Sequence, residues 1–357
     1  MLQKKHLAFI SVLLIVSNLL GSGNMNQSIK EIASSEKQWT GIALSNTGRI
    51  FVNYPNWSED VPVSVAELVD GKPIAYPSKA WNDRNNTDSF NAVQSVVIDA
   101  KNRLWVLDTN NARFKGVQKN GPTLFQFDLN TNSKVKSFSF PKGVYHEKSY
   151  FNDVRIDTKK EIAYLSDSGD GAIIVLDLKT GKSKRLLDTH PSVKSEVNLL
   201  VADGRIWKRS VDVDGIDLSK NGEYLYYSAL SGHTLYRINT ADLSNESLLA
   251  IDLAKKVETI ATIPATDGMM FDKNENLWLG ALESNGVNML DSNGKLVRVL
   301  QNPDIRWADS FAIDDKSGNI YFTTSQISLP KEERGLYQIF SYNPKVVSDK
   351  SVEKSTK

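Results

Sequence analysis

The sequence predicts an all-β protein, a six-bladed β-propeller with four-stranded blades and a short helical insertion after the fourth blade. One observation is a motif that occurs six times, in which a polar residue precedes a short apolar strand, an Asp- or Asn-rich turn and a second apolar strand. A second is the spacing of about 40 to 60 residues between copies, which is near the period of propeller blades. A third is the turn chemistry, because Asp and Asn bond to their own backbone and tolerate left-handed conformations. The polar residues that open the motifs, called head residues below, are Thr40, Gln94, Asn152, Asp214, Asp267 and Asp309.

The first three head residues open three predicted blades. In each blade the apolar strand after the head residue pairs with a second strand across a turn, and further strands continue outward. The third blade is the most regular, because residues 177–182 have the composition of a hairpin turn between two apolar segments. The predicted strands lie near residues 42–44, 50–53 and 63–68, then 94–98, 104–106, 123–128 and 135–140, then 152–156, 162–165, 172–176 and 183–187.

The last three blades are interrupted by one change of pattern. After the strands of the fourth blade, leucines and a valine in residues 242–257 recur at helical spacing, which predicts the helical insertion. The predicted strands lie near residues 214–218, 224–228 and 234–238, then 269–271 and 277–281, then 309–313, 320–322 and 335–342.

The sixth blade lacks a fourth strand of its own, because the sequence after residue 344 is mostly polar and charged. Residues 29–33 are predicted to supply this outer strand by pairing with residues 335–342. Such a closure removes an exposed strand edge and ties the two ends of the propeller together.

Composition excludes several classes of function. The 357 residues include 43 Lys and Arg and 42 Asp and Glu, so the formal net charge is +1, and no basic block indicates nucleic acid. No cysteine occurs, so disulfides and thiol chemistry are excluded. The repeats predict a single propeller domain over residues 25–345 with a polar tail over residues 346–357, and we expect a monomer.

The first 24 residues have the composition of a secretory signal peptide. Lys4 and Lys5 precede an apolar run over residues 7–20, and small residues follow at 21–23. The run is shorter than the roughly 20 apolar residues that span a bilayer. We therefore predict a secreted or periplasmic protein whose mature chain has no membrane span.

The head residues should gather at one mouth of the central channel, because the first strand of every propeller blade lines that channel. Carboxylates facing one another there repel unless a divalent cation such as calcium, a cationic ligand or a basic side chain compensates them. The alternative is that they only cap backbone N–H groups at strand ends. The predicted ligand-binding residues are Gln94, Asn152, Asp153, Asp214, His233, Asp267 and Asp309, of which Asn152, Asp214 and Asp267 are also candidate metal ligands.

His233 is included because it lies on a predicted loop at the same mouth, where it would contact a ligand or only fix the loop. No catalytic residue is assigned, since no nucleophile elbow or phosphate-binding loop occurs. Four tryptophans in loops are candidates for a pocket wall: Trp57, Trp81, Trp207 and Trp307.

Several ordered motifs resemble the Yellow/major royal jelly protein family, in its bacterial branch. They include Phe-Asn-Asp-Val-Arg-Ile-Asp at residues 151–157 and Ala-Tyr-Leu-Ser-Asp-Ser at residues 163–168. The resemblance extends to residues 48–57, 172–178, 190–193, 228–230, 309–313 and 321–326. It implies a secreted six-bladed propeller, and among the insect members some rearrange dopachrome while others bind amines or sterols. The disulfides of the insect proteins have no counterpart here.

A more distant likeness is to the gluconolactonase/regucalcin propellers. Asn152, Asp214 and Asp267 lie where that family has substrate and metal ligands on its inner strands. Two positions depart from that pattern: Asp214 replaces an Asn, and Thr40 stands where the family has a Glu ligand. The missing carboxylate weakens the implied metal site, although Asp309 would supply a charge nearby.

Two functions therefore remain open. The first is a Yellow-like propeller that binds, or also isomerises, a small organic molecule at the channel mouth. The second is a divalent-metal-dependent lactonase or hydrolase, in which the ion would polarise a carbonyl and activate water.

Overall fold

The fold is a ring of six antiparallel four-stranded sheets, so the six-bladed propeller is confirmed. The structure is a computed structural model that describes residues 29–61, 63–86 and 89–344. The innermost strands of neighbouring blades contact one another around a closed ring. They thereby line one central channel.

Blades one to three each run outward from the channel in chain order. Blade one contains β2 (Ile42–Leu44), β3 (Ile50–Asn53), β4 (Val65–Val69) and β5 (Lys72–Ala75). Blade two contains β6 (Val93–Ile98), β7 (Arg103–Asp108), β8 (Thr123–Asp128) and β9 (Ser133–Ser139). Blade three contains β10 (Phe151–Asp157), β11 (Ile162–Asp167), β12 (Ala172–Asp177) and β13 (Ser183–Leu186).

Blades four and five follow the same order, and blade six is completed from the other end of the chain. Blade four contains β16 (Val213–Leu218), β17 (Tyr224–Ala229), β18 (Thr234–Asn239) and β19 (Glu258–Thr262). Blade five contains β20 (Met269–Phe271), β21 (Leu277–Ala281), β22 (Gly286–Leu290) and β23 (Leu296–Gln301). Blade six contains β24 (Ala308–Asp314), β25 (Asn319–Thr324), β26 (Tyr337–Tyr342) and, as its outer strand, β1 (Lys30–Ser35).

The predicted closure of blade six is confirmed by the pairing of β1 with β26. The two strands are antiparallel, with Lys30 opposite Ser341 and Ser35 opposite Tyr337. Ala33 on β1 is buried and packs in one core cluster with Ile339. The N-terminal strand therefore covers the edge that β26 would otherwise expose.

The helical insertion is present and lies within blade four, between its third strand and its outer strand. It consists of α1 (Thr240–Ser244) and α2 (Ala250–Ala254). The Asn239 side chain caps α1 by accepting a hydrogen bond from the backbone N–H of Ala241. Leu243 and Leu253 are buried against the core between blades three and four.

A two-stranded hairpin that the sequence did not predict joins blades three and four. It consists of β14 (Leu200–Ala202) and β15 (Arg205–Trp207). Its turn residue Asp203 accepts hydrogen bonds from Asn285 Nδ2 at 2.7 Å and Ser328 Oγ at 2.6 Å. These contacts tie the hairpin to loops of blades five and six.

The hydrophobic core lies between the faces of neighbouring blades. The side chains of Trp105 and Phe151, for example, belong to one buried cluster between blades two and three. Strands buried on both faces need apolar residues on both sides, which explains near-continuous apolar runs such as β12.

Two predicted segments, the signal peptide over residues 1–24 and the polar tail over residues 346–357, lie outside the described residues. In the part of the chain that the structure describes, no helix has both the length and the hydropathy to cross a membrane.

Candidate ligand-binding site at the upper channel mouth

The six head residues lie at or just before the starts of the inner strands, and we call this end of the channel the upper mouth. The inner strands all run away from it, because each blade begins at the channel. Five of the head residues are buried, and Asn152 is partly exposed. The predicted convergence follows from this shared position on six strands.

A chain of hydrogen bonds crosses the upper mouth and ends on Asp214. Trp57 Nε1 donates to the Tyr150 hydroxyl over 2.7 Å, and that hydroxyl donates to Gln94 Oε1 over 2.8 Å. Gln94 Nε2 donates to Asn152 Oδ1 over 3.1 Å. Asn152 Nδ2 then donates to Asp214 Oδ2 over 2.7 Å. The chain links the Asp214 carboxylate to side chains on two other inner strands, Gln94 on β6 and Asn152 on β10.

Asp267 is held by a tryptophan from the next blade connection. Trp307 Nε1 donates to Asp267 Oδ2 over 2.6 Å. The Trp307 backbone has a φ of 62°, a conformation that bulky residues rarely adopt. Its ring packs edge-on against Trp207 of the hairpin, with ring centroids 4.9 Å apart.

Glycine next to two head residues allows the inner strands to approach closely. A Cβ atom on Gly215 would lie 2.1 Å from the Asp267 carbonyl oxygen, and one on Gly268 would lie 2.3 Å from that of Asp309. Any larger residue would therefore push the neighbouring strands apart. The Gly268 N–H also donates to the Asp309 carbonyl over 2.6 Å.

The three head carboxyls are shifted toward their protonated form. Burial raises the pKa of Asp214 well above its usual value, and the charges of Asp309 and Asp153 raise it further. For Asp267, burial and the charges of Asp309 and Asp214 raise the pKa, and the hydrogen bond from Trp307 opposes this. Burial raises the pKa of Asp309 to about 7, although the hydroxyls of Ser325 and Ser310 favour its ionised form.

No basic side chain compensates these carboxylates within the described residues. None of the ion pairs found there, taken at up to 4.0 Å, includes Asp214, Asp267 or Asp309. The upper mouth is therefore a buried acidic site without an internal counter-ion.

Aromatic rings border the acidic group on one side. Phe114 stacks on Tyr150 with centroids 4.8 Å apart and on Trp57 with centroids 6.0 Å apart. The Phe114 side chain is 54% exposed, so its ring faces solvent at the mouth. Arg113 and Phe114 both have left-handed φ values, 58° and 56°.

Two predicted ligand-binding residues lie elsewhere. The Asp153 carboxylate contacts Arg155 and Ser95 instead of the head residues. Its Oδ1 accepts hydrogen bonds from Arg155 Nη1 at 2.6 Å and from Ser95 Oγ at 3.1 Å. The ring of His233 lies at the rim, where Nε2 is 2.8 Å from Glu283 Oε2. Its backbone N–H donates to Glu196, so its contacts fix rim loops.

The candidate metal set does not fit a metal ion in this geometry. In the described ranges, no group of three or more His, Cys, Asp or Glu side chains is arranged to hold one. The Asn152 oxygen that would be a ligand accepts from Gln94. Thr40, at the position of the missing Glu, instead accepts a hydrogen bond from Asn53 Nδ2 over 3.0 Å. The calcium assignment remains a prediction without support from these contacts.

The sequence predicted the polar residues of this candidate site and missed some of its aromatic residues. Tyr150 and Phe114 were not predicted, because neither belongs to the repeated motif. Trp57 and Trp307 were candidates for a pocket wall, and both contact the site. Trp81 instead packs in the core of blades one and two, against Phe90 and Phe127.

The fold and this geometry define a six-bladed propeller with a buried acidic channel mouth bordered by aromatic rings. Residues 91–338 match the family model of the major royal jelly proteins, and the chain belongs to that family.

Two relatives illustrate the membership. Major royal jelly protein 5 from Apis mellifera is 25% identical over 255 residues, which are 66% of this chain and 41% of that protein. Yellow-related salivary protein M10 from Phlebotomus duboscqi is 26% identical over 235 residues, which are 58% of each protein. The chain thus spans about half the length of the curated relatives it matches.

Solved structures share the fold with little sequence identity. A gluconolactonase from Xanthomonas campestris matches with a TM-score of 0.57 and 11% identity, over 89% of this chain and 90% of that chain. Virginiamycin B lyase from Staphylococcus aureus matches with a TM-score of 0.52 and 14% identity, over 88% of this chain and 98% of that chain. At these identities the likeness shows the propeller fold alone.

Proposed function

We propose that the protein binds a small organic cation, such as an amine, at the upper mouth of the channel. The observation that carries this proposal is the group of three buried carboxyls, Asp214, Asp267 and Asp309, which have no basic partner among the described residues. Burial raises the pKa of all three, and the charge of Asp309 raises the pKa of the other two further. A cationic ligand stabilises their ionised forms, whereas a neutral or anionic ligand does not.

The aromatic border supports an organic cation. The faces of Trp and Tyr rings attract ammonium groups with roughly 0.5–2 kcal/mol per contact, and the gain is largest where water is excluded. Tyr150 is buried, and its ring stacks on Phe114 at the solvent side. A ligand with an ammonium group and an apolar body would match the acidic floor and this border.

Backbone strain at the border also supports a binding site. Left-handed conformations of non-glycine residues cost roughly 1–3 kcal/mol each and are concentrated at ligand sites. Arg113, Phe114 and Trp307 are all in this region of φ. The fold therefore holds two of the aromatic rings in place at an energetic cost.

An organic cation is favoured over the metal-dependent lactonase by the contacts of two head residues. The Thr40 hydroxyl and the Asn152 amide oxygen both accept hydrogen bonds from neighbouring amide groups. The candidate metal set then offers only the carboxylates of Asp214 and Asp267. Calcium usually takes six to eight oxygen ligands, so most of them would have to be water.

Thermal-shift titration with a matched pair of ligands tests the proposal. At pH 8, 2-phenylethylamine should raise the melting temperature by mass action, and the neutral 2-phenylethanol should not. Asp214→Asn should abolish the response to the amine. Asp304→Asn, at an exposed carboxylate, is the matched control and should retain it.

Two results would count against the proposal. Equal stabilisation by the alcohol and the amine would mean that the carboxylates do not recognise a cation. A fall in melting temperature on adding EDTA, with no response to amines, would favour the metal-dependent alternative.

We also propose that the upper site isomerises the ligand that it binds. Burial raises the pKa of Asp309 to about 7, which suits a group that exchanges a proton with substrate at neutral pH. Exchange of deuterium from solvent into a bound amino ketone, followed by NMR and lost in Asp309→Asn, would test this activity.

We also propose export of the chain, as the leader over residues 1–24 predicts. The family membership supports this, since one relative is named a salivary protein. Mass spectrometry of the protein from its native host should show an N-terminus near residues 24–26. A mature protein that begins at Met1 would contradict it.

A further inference from the structure

A cavity opens at the opposite, lower mouth of the channel, where the inner strands end. It encloses about 490 Å³, within the roughly 300–1,000 Å³ typical of small-molecule sites. Every inner strand contributes an apolar side chain to its wall: Leu44, Ile98, Ile156, Leu218, Phe271 and Ile313. None of the three head carboxylates lines it, and its wall begins one residue below the head residues, at Asp153, Gly268 and Ser310.

The polar part of the lower cavity is a network centred on Arg155. Arg155 Nε donates to Asp217 Oδ1 over 2.7 Å, and Nη1 donates to Asp153 Oδ1 over 2.6 Å. Nη1 also donates to the Val154 carbonyl, and Nη2 donates to the Met269 carbonyl over 2.9 Å. The network joins blades three, four and five across the channel.

The size of Arg155 is accommodated because the residues at the same level on blades six and one are small. Ala312 and Ala43 occupy the position that Arg155 occupies in the six-fold motif, three residues after the head residue. Both alanines line the lower cavity. The open volume therefore lies beside the guanidinium group rather than being filled by opposing side chains.

One hydrogen-bond donor of this network has no acceptor in the part of the chain that the structure describes. A guanidinium group has five N–H donors, and the four hydrogen bonds of Arg155 leave one N–H on Nη2. Only 12% of the Arg155 side chain is exposed, and an unsatisfied buried donor is unfavourable. Because Arg155 lines the cavity, an acceptor on a bound molecule can reach it.

We propose that the lower cavity is a second binding site, for a neutral and largely apolar molecule that carries one hydrogen-bond acceptor such as a ketone. The apolar wall would pack against the body of the ligand, and the remaining Arg155 N–H would donate a hydrogen bond to its acceptor. An anion is disfavoured because six carboxylates line the cavity against three basic side chains, those of Arg155, Lys159 and Lys220. A cation is disfavoured because most of the carboxylates that line the cavity already have basic partners: Asp153 and Asp217 pair with Arg155, Asp99 with Arg103, and Asp157 with Lys160.

Equilibrium dialysis with substituted naphthalenes tests the site and the ligand class. Purified full-length protein should bind 2-acetylnaphthalene saturably, and it should bind naphthalene, 2-naphthoate and 2-naphthylmethylammonium more weakly. One hydrogen bond to a charged donor corresponds to a difference of about tenfold between the ketone and naphthalene. Arg155→Lys should reduce this difference while binding of naphthalene is retained.

Cavity-filling variants locate the binding. Leu44→Trp and Ile313→Trp should each weaken ketone binding at least about tenfold by overpacking the cavity. Ile74→Trp places the same ring on an exposed outer strand of blade one and should bind normally.

Three outcomes would overturn the proposal: no saturable binding of the ketone, equal binding by the Leu44→Trp and Ile74→Trp variants, or tighter binding of the charged naphthalenes. The tryptophan variants keep the test decisive if Arg155→Lys does not fold. Failure here leaves the amine proposal intact, because the two sites have different variants and different ligands.

Discussion

The indole N–H of Trp307 donates to the carboxylate of Asp267 over 2.6 Å, from a backbone in the left-handed region. Asp267 lies in the connection between blades four and five, and Trp307 lies in the connection between blades five and six. Both connections are at the upper mouth. Burial and the charges of Asp309 and Asp214 raise the pKa of Asp267, and the hydrogen bond from Trp307 opposes this by favouring the ionised form. The bond therefore favours the charged form of one carboxylate, the form that the proposed cation would bind, while the neighbouring carboxylates oppose its ionisation.

Trp307→Phe keeps an aromatic ring and removes the N–H donor. We expect the affinity for 2-phenylethylamine at pH 7 to fall at least about tenfold, because a hydrogen bond to a charged group contributes roughly 1.5–3 kcal/mol. The pKa of Asp267 should rise further, so the pH at which the amine binds should shift upward. Isothermal titration calorimetry between pH 6 and pH 9 measures both effects.

Trp278→Phe is the matched control for that variant. It removes a similar bond, from Trp278 Nε1 to Asp272 Oδ2 at 3.1 Å, at a turn distant from the upper mouth. Its amine affinity should equal that of the wild type. Equal losses in the two variants would mean that the Trp307 bond matters only for folding.

The stability of the ligand-free protein should fall as the pH rises from about 5 to 8. Asp214, Asp267 and Asp309 have raised pKa values, so the folded state binds more protons than the unfolded state does. The stabilisation is complete below the ordinary value of 3.8 and is lost as the pH rises through the folded pKa, which is about 7 for Asp309. Urea unfolding at each pH unit measures this trend.

Asp309→Asn isolates the contribution of one carboxyl to that trend. Between the two pKa values one titrating group changes the unfolding free energy by about 1.4 kcal/mol per pH unit, and the variant should lose a slope of this size. The difference between the curves cancels distant groups such as His190, whose lowered pKa acts in the opposite direction. It still includes the release of Asp214 and Asp267 from the charge of Asp309. Parallel curves for variant and wild type would show that Asp309 keeps an ordinary pKa.

Gly268→Ala should disrupt the upper mouth. The new Cβ would lie 2.3 Å from the Asp309 carbonyl oxygen, so blades five and six must separate at the channel. We expect a loss of several kcal/mol in unfolding free energy and loss of amine binding. Gly335→Ala, where a Cβ would meet nothing within 4 Å, should be near neutral, and comparable melting temperatures for the two variants would refute the close approach.

Ala33→Asp should destabilise the closure of the ring. Ala33 is 7% exposed on β1 and packs with Ile339 of β26, so a carboxylate there is buried without a partner. The expected loss is roughly 2–4 kcal/mol, measured by urea unfolding. Ser34→Asp, on the partly exposed neighbouring position, should cost less than 1 kcal/mol. Similar losses would mean that β1 contributes little to stability.

The strands and the closure were predictable because their causes are local or follow from a simple topological rule. Alternating apolar residues and Asp- or Asn-rich turns determine where each strand begins and ends. The unpaired edge of blade six required a partner, and residues 30–35 supplied it. The hairpin of β14 and β15 was not predicted, because its strands are three residues each and carry no repeat.

The sequence by itself determined the number of blades and the position of the head residues at one channel mouth, since equal places in six repeats become neighbours when the ring closes. Only the tertiary structure decided what surrounds them. Tyr150 precedes a head residue, and Trp57 and Phe114 lie in loops of other blades, yet all three meet at the mouth. Asp153 likewise follows a head residue but pairs with Arg155 below it. Such contacts depend on side-chain direction and loop path across blades, which no local pattern encodes.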